Sequence, residues 1–355
     1  MTLLSPLTFR NGARAKNRVV LAPMTNKQSH ADGSLSDEEL HWLRARSKGG
    51  FGVVMSCATH VAKDGQGWTG ELGIFDDALL PGWRRLASAL REDGALSFAQ
   101  IFHGGFRADV ALVGDARWSA SENEGSREAT EADLERVIGQ FADAAVRAHA
   151  AGLDGVEIHG AHGYLLTQFL STVHNRRTDA WGGSLENRAR LMREVVRAVR
   201  ARVPATFVVG VRLSPEDFGN AKGLDLDESL TVARWVAEDG VDFVHLSLWN
   251  ALRNTNKRPD EHAVTAFRAV VPKDVRLIVA GSLWTREEAE SMLAKGADAV
   301  ALGRSAIANP DWPTRIADPA WEPKRPPLTR DELLARGLSP GFVDYMSSWK
   351  GFVTP

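Results

Sequence analysis

Several things are scarce in this chain, and each scarcity closes off a class of protein. Its 355 residues include one cysteine, Cys57. No intrachain disulfide can form, and a thiolate metal centre has no ligands to draw on. Charge of one sign is also missing: 45 acidic side chains face 43 basic ones, a formal net charge of −2. No electrostatic footprint marks nucleic acid or an anionic membrane as a partner. No apolar run approaches the ~18 residues that span a bilayer. The opening stretch "MTLLSPLTFRNGARAKNR" has no apolar signal core, so a cytoplasmic location is expected. No G-x-G-x-x-G follows a strand-like run, which weighs against a doubly wound dinucleotide-binding sheet. Only two tyrosines occur, and one lies in "EIHGAHGYLLTQFL", where His159, His162 and Tyr164 crowd together.

What the chain does have is a rhythm. Eight short apolar, β-branched runs recur: "RVVLAPM" (Arg18–Met24), "FGVVMSCA" (Phe51–Ala58), "LSFAQIF" (Leu96–Phe102), "GVEIHG" (Gly155–Gly160), "FVVGVRL" (Phe207–Leu213), "FVHLSL" (Phe243–Leu248), "RLIVAGS" (Arg276–Ser282) and "AVALGR" (Ala299–Arg304). Near-continuous apolar runs suit parallel strands covered on both faces. Helical patterns separate them. One opens at Ser36 with Glu39 three residues later, a capping-box signature, and stops at Gly49-Gly50. The reading is α/β: a single (β/α)8 TIM barrel over residues 1–318 with an N-terminal capping segment, then a tail over 319–355. The Trp-rich tail is expected to pack on the barrel or on a neighbouring subunit, in a homodimer or homotetramer. Two long connections, a polar lid over 103–132 and a segment over 160–187, fall on the face of the strand C-termini, where barrel active sites sit.

If the barrel closes, the strand ends converge on one mouth. Gly281-Ser282 and Gly303-Arg304 then outline a phosphate site, with close backbone approach and one cation. Gln100 brings a donor and an acceptor, Arg212 a fixed positive fork, and Thr25 a hydroxyl. That set suits a flavin mononucleotide. His159 and His162 alone also suit a metal pair, with Glu157 and His103 as conceivable further ligands, and hence a metal-dependent barrel hydrolase. A structural His/Tyr cluster is the plainer alternative. His103 could touch a flavin or merely support the lid, and Trp68, Trp118, Trp249 and Trp349 are rim candidates.

The stretches, taken in order, resemble a known family. "LLSPLTFRNGARAKNRVVLAPMT", "AQIFHGG", "EIHGAHGYLLTQFLS" with "NRRTDAWGGSLENRARL", "GVRLSPED" and "ALGRSAIANPD" are similar to the motifs of the Old Yellow Enzyme family of FMN-dependent ene-reductases, over about residues 3–315. The resemblance implies non-covalent FMN, held by Ala22, Pro23, Met24, Thr25, Ala58, Gln100 and Arg212, with its phosphate at Gly281, Ser282, Gly303 and Arg304. It implies NADPH or NADH as a transient hydride donor and a small activated alkene (enone, maleimide or nitroalkene) as substrate. His159 and His162 match the pair that binds the substrate's activating oxygen, and Tyr164 matches the proton donor. Lys27 stands where relatives often place an aromatic pocket residue, and is read as a substrate contact. Phe106 stands where the family usually has arginine, and Trp181 replaces a tyrosine. These departures bear on substrate range, not on the core chemistry. A flavin-binding protein without turnover remains the non-catalytic alternative.

Overall fold

The computed structural model describes residues 2–354. Each of the eight runs is a strand: β1 (Val19–Leu21), β2 (Val53–His60), β3 (Leu96–Phe102), β4 (Gly155–Gly160), β5 (Val208–Leu213), β6 (Phe243–Ser247), β7 (Arg276–Ala280) and β8 (Ala299–Leu302). They pair in parallel in chain order, and β8 closes on β1. Helices fill the connections, among them Asp37–Lys48, Glu131–Ala150 and Leu185–Arg202. Burial on both faces explains why the strands read as unbroken apolar runs rather than as alternation. Among the described residues, no helix is long and apolar enough to cross a membrane.

Alternation reappears inside the barrel, where every second residue points inward. The floor is aromatic. Phe98 of β3 stacks on Phe243 of β6 with ring centroids 5.8 Å apart, and Phe9 from the N-terminal segment reaches both at 5.7 and 5.9 Å. A small hairpin, Leu7–Thr8 with Arg14–Ala15, carries Phe9 into the bottom of the barrel. Gly210 of β5 makes this floor fit: a Cβ there would lie 2.2 Å from the Phe243 ring. Gly210→Ala is therefore expected to overpack the core and cost about 1–3 kcal/mol. Urea unfolding with an unchanged midpoint would contradict that packing.

The capping box expected at Ser36 is half formed. Ser36 Oγ accepts the Glu39 N–H, but the Glu39 side chain does not return to the cap. It turns inward instead, where its carboxyl takes hydrogen bonds from Asn26 Nδ2 and Ser29 Oγ. The pull of these buried donors outweighs a cap that water could serve equally well.

The C-terminal segment lies against the barrel. Its helices Arg330–Ala335 and Pro340–Ser347 pack near helix Asp37–Lys48, with Phe342 edge-on to Trp42 at 5.5 Å. Arg46 anchors the junction. Its buried guanidinium donates to the carbonyls of Arg336 (2.9 Å), Ala306 (3.2 Å) and Ile307 (3.3 Å), and burial pushes its pKa down to about 9.

Candidate active site

One cavity opens at the C-terminal mouth of the barrel, with about 1150 Å³ of empty space counting its open entrance. Ala22, Pro23, Met24 and Thr25 wall it after β1, with Ala58 from β2, Gln100 from β3 and Arg212 from β5. His159, His162 and Tyr164 enter from β4 and the turn after it. Gly281, Ser282, Gly303 and Arg304 close the side of β7 and β8. Lys27 is not in this wall. Its backbone turns through a left-handed φ of 55°, and its exposed ammonium lies 5.3 Å over the Tyr345 ring. Of the four tryptophans, Trp68, Trp249 and Trp349 line the cavity. Trp118 is fully buried within the lid, donating to Asp64 Oδ2 at 2.9 Å. His103 also lies outside the cavity, with Nε2 3.4 Å from Asp64 and its ring 4.9 Å from that of Trp118, so it supports the lid.

Beneath the mouth lies a buried polar layer. Glu157 of β4 pairs in register with Gln100 and Gly210. Its Oε1 accepts from Gln100 Nε2 at 2.7 Å, and its Oε2 lies 2.7 Å from His245 Nδ1. The carboxylate sets the direction of the Gln100 amide: nitrogen down, carbonyl oxygen toward the cavity. Glu157 therefore serves the layer and not a metal. Among the described residues, no group of three or more His, Cys, Asp or Glu could hold an ion.

Ser247 at the end of β6 bridges two functional side chains. Arg212 Nη2 donates to its Oγ at 3.0 Å, and His162 Nε2 lies 2.6 Å from the same atom. Arginine can only donate, so Ser247 Oγ accepts there, and the same hydroxyl can either give its O–H to His162 Nε2 or accept from it, according to the imidazole tautomer. His159 is set differently. Its Nδ1 accepts the Ala161 N–H at 3.2 Å, so its proton sits on Nε2. Burial first, then the Arg212 guanidinium, holds both imidazoles well below their usual range, so both are neutral N–H donors at neutral pH.

The turn after β4 is tightly built. His162 adopts a left-handed φ of 64°, a conformation that costs a non-glycine residue energy unless its surroundings hold it. Ser214 Oγ accepts the His162 N–H at 3.1 Å, and Arg107 Nη1 donates to the His162 carbonyl at 2.6 Å. Gly163 follows, where a Cβ would meet the Asn220 carbonyl oxygen at 2.2 Å. Gln168, fully buried in helix Leu165–Leu170, ties this turn to the lid: it donates to Gly104 and Gly163 and accepts from Phe106 N and Ser119 Oγ. Phe106 packs inward on His174, and it is the next residue, Arg107, that faces Tyr164. The Tyr164 ring stands edge-on to Phe102 at 5.0 Å and to His159 at 5.1 Å. Burial raises its pKa, partly offset by Arg107, so the phenol carries its proton at neutral pH.

These shifts have a consequence for stability. His60, His159, His162 and His245 are buried and held below the usual imidazole range, chiefly by burial, His60 down to about 3. The unfolded chain takes up protons below pH ~6.5, and the folded chain does not. The stability from each histidine is full above ~6.5 and falls by about 1.4 kcal/mol per pH unit as pH drops toward its folded pKa. Burial raises Glu39 and Glu71, which tilt the balance the other way, but the histidines outnumber them. Urea midpoints are expected to fall from pH 7 to pH 5. A flat profile would mean that these imidazoles are protonated inside the fold.

A group that fits the cavity must answer its uncompensated charges. Arg212 and Arg304 form no ion pair among the described residues; they are held by Ser247 and Ser282. Burial lowers the pKa of both guanidiniums, so each favours an anion beside it. Arg212 Nε and Ser305 Oγ are buried without partners. One cation under the middle of the mouth and one at the β7–β8 edge suit a ring that becomes anionic on reduction and a terminal phosphate.

Comparison with known proteins agrees. Residues 2–320 match the model of the NADH:flavin oxidoreductase / NADH oxidase family. The chain belongs to this family. It is 34% identical to the probable NADH-dependent flavin oxidoreductase YqiG of Bacillus subtilis (strain 168), over 89% of this chain and 88% of that protein. It is also 34% identical to an NADPH dehydrogenase of Bacillus licheniformis, covering 89% of this chain and 94% of the relative. Among solved structures, the Old Yellow Enzyme homologue from Zymomonas mobilis superposes with a TM-score of 0.83 at 27% identity, covering 97% of this chain and 99% of that one. As in its family, FMN is the cofactor, and NAD(P)H is the hydride donor of this oxidoreductase.

Several cavity residues escaped the sequence reading. Ser247 lies at the end of a strand and looks like strand filler; only strand register aims it. Tyr345 and Met346, beside the rim candidate Trp349, wall the cavity from the C-terminal segment. The tail's aromatic content was the one available signal, and it did not say where the tail goes.

Proposed function

We propose that this oxidoreductase reduces the C=C bond of a small activated alkene (an enone, maleimide or nitroalkene), with Tyr164 as proton donor. FMN, when bound, supplies acceptance of a hydride from the nicotinamide and its delivery to carbon. The single observation that carries this reading is the convergence of two neutral imidazoles and a protonated phenol on one side of the flavin cavity. His159 through Nε2–H and His162 in the tautomer that accepts the Ser247 O–H at Nε2 and carries its proton on Nδ1 donate to the carbonyl or nitro oxygen on which negative charge builds. Tyr164 Oη–H supplies the proton for the α-carbon. Gln100 and Arg212 hold the ring edge, and Ser282 and Arg304 hold the phosphate. Trp68 and Phe102 keep water away from the phenol.

The test is a half-reaction experiment. Purified protein is expected to be yellow, to bleach with NADH or NADPH under anaerobic conditions, and to recover its colour with a cyclic enone as the saturated ketone appears. Flavin that bleaches and stays reduced across enones, maleimides and nitroalkenes would overturn the reading in favour of a flavin binder or another acceptor.

A further inference from the structure

Proton donation leaves a charge behind, and the structure holds an answer to it. When Tyr164 gives its proton, the Oη–H bond breaks, its electron pair stays on oxygen, and a C–H bond forms at the substrate α-carbon. The negative charge leaves the substrate oxygen and reappears as a phenolate in a buried site. Around that phenol stand Phe102 and Trp68, both apolar faces, and the neutral His159 ring. Glu71, on the segment after β2, faces it too, as does Tyr345 from the C-terminal helix. Glu71 is buried with its pKa well above the carboxylate range, and it accepts the Gly67 and Trp68 N–H groups. Neither of these last two groups carries a positive charge to balance an anion.

Arg107 can. Its guanidinium carbon lies 4.3 Å from the Tyr164 ring centroid, on the lid side of the ring. Its Nη1 is fixed by the His162 carbonyl at 2.6 Å, so the cation is held in place rather than waving in solvent. Arg107 is absent from the cavity wall and meets the site through the Tyr164 ring and the His162 carbonyl. We propose that Arg107 is a positioning residue that serves as the counter-charge for the Tyr164 phenolate left by proton donation. An opposite charge within ~4–6 Å favours an ionised group, commonly by 1–3 pKa units. The phenolate then regains its proton from water before the next turnover. This inference rests on the reading of Tyr164 as proton donor.

The experiment compares holoenzymes of the wild type, R107Q, R107K, Y164F and R107Q/Y164F. R107Q is expected to slow flavin reoxidation by cyclohexenone 10- to 100-fold, while reduction by the nicotinamide and reoxidation by dioxygen change less than 2-fold. R107K, which keeps the charge, recovers most of the loss. In the Y164F background R107Q adds less than a further 2-fold, because the two residues act as one unit. A second readout is independent of turnover. With two tyrosines in the chain, 3-fluorotyrosine labelling yields two fluorine signals, assigned with Y345F, and the Tyr164 signal in R107Q is expected to titrate at least one pH unit higher. An unshifted titration, a full R107Q effect in the Y164F background, or a tenfold loss of affinity for a phenol (which would place the action on His162) each overturns the inference. Failure of the underlying reading looks different: Y164F would then reoxidise with enone at the wild-type rate.

Discussion

Replacing Tyr164 by phenylalanine is expected to slow flavin reoxidation by an enone by ~10²–10⁴, the usual contribution of a positioned general acid. The phenyl ring retains the packing against Phe102 and His159, so the fold and the cavity should persist. Reduction by the nicotinamide needs no proton from this oxygen and should stay within about twofold on the same grounds. Stopped-flow absorbance of the two half-reactions separates them. Equal damage to both steps would mean that Tyr164 shapes the pocket and donates nothing.

The second large effect concerns the oxygen anchor. His159→Ala is expected to reduce the enone half-reaction by ~10²–10³, the loss measured when one oxyanion donor is removed from a preorganised site. Two features of His159 set the size of this effect. The Ala161 N–H occupies Nδ1, so Nε2–H is free to donate, and burial keeps the ring neutral. Removing His162 as well should abolish binding of a phenol whose oxygen sits between the two donors, as read from the flavin absorbance. Undiminished phenol affinity in the double variant would place the anchor elsewhere, with the unpartnered indole N–H of Trp68 one alternative donor on the wall.

The positions of these groups were unevenly legible. Strands β3 and β4 run over Leu96–Phe102 and Gly155–Gly160, the same bounds as the apolar runs. The other runs overshoot by a few residues at their C-terminal ends or begin a little early, where the chain leaves the sheet to line the mouth. Ala58, Gln100 and Arg212 line the mouth from within β2, β3 and β5, whereas Gly281-Ser282, Gly303-Arg304 and Ala22–Thr25 lie just past the ends of β7, β8 and β1, where a parallel barrel leads the chain to the mouth. Lys27 lies past the end of β1 too, yet a left-handed turn carries it outward. A side chain's side of the loop depends on a single φ, which composition does not encode.

By itself, the sequence determined the architecture and the chemistry available. Eight apolar runs between amphipathic helices can bury both strand faces only in a covered parallel sheet, and the strand-end residue types limit what that sheet can hold. Tertiary structure alone decided which groups meet. Glu157 orients Gln100 and bonds His245 because adjacent strands close in a particular register. Ser247 joins Arg212 to His162 for the same reason. Tyr345 and Trp349 reach a cavity whose first wall, Ala22–Thr25, lies more than 300 positions earlier because Arg46 and Trp42 hold the final helices down. Helix and strand patterns repeat every few residues and can be read locally. Contacts across the barrel depend on closure, bulges and single backbone torsions, and these are settled only when the whole chain packs.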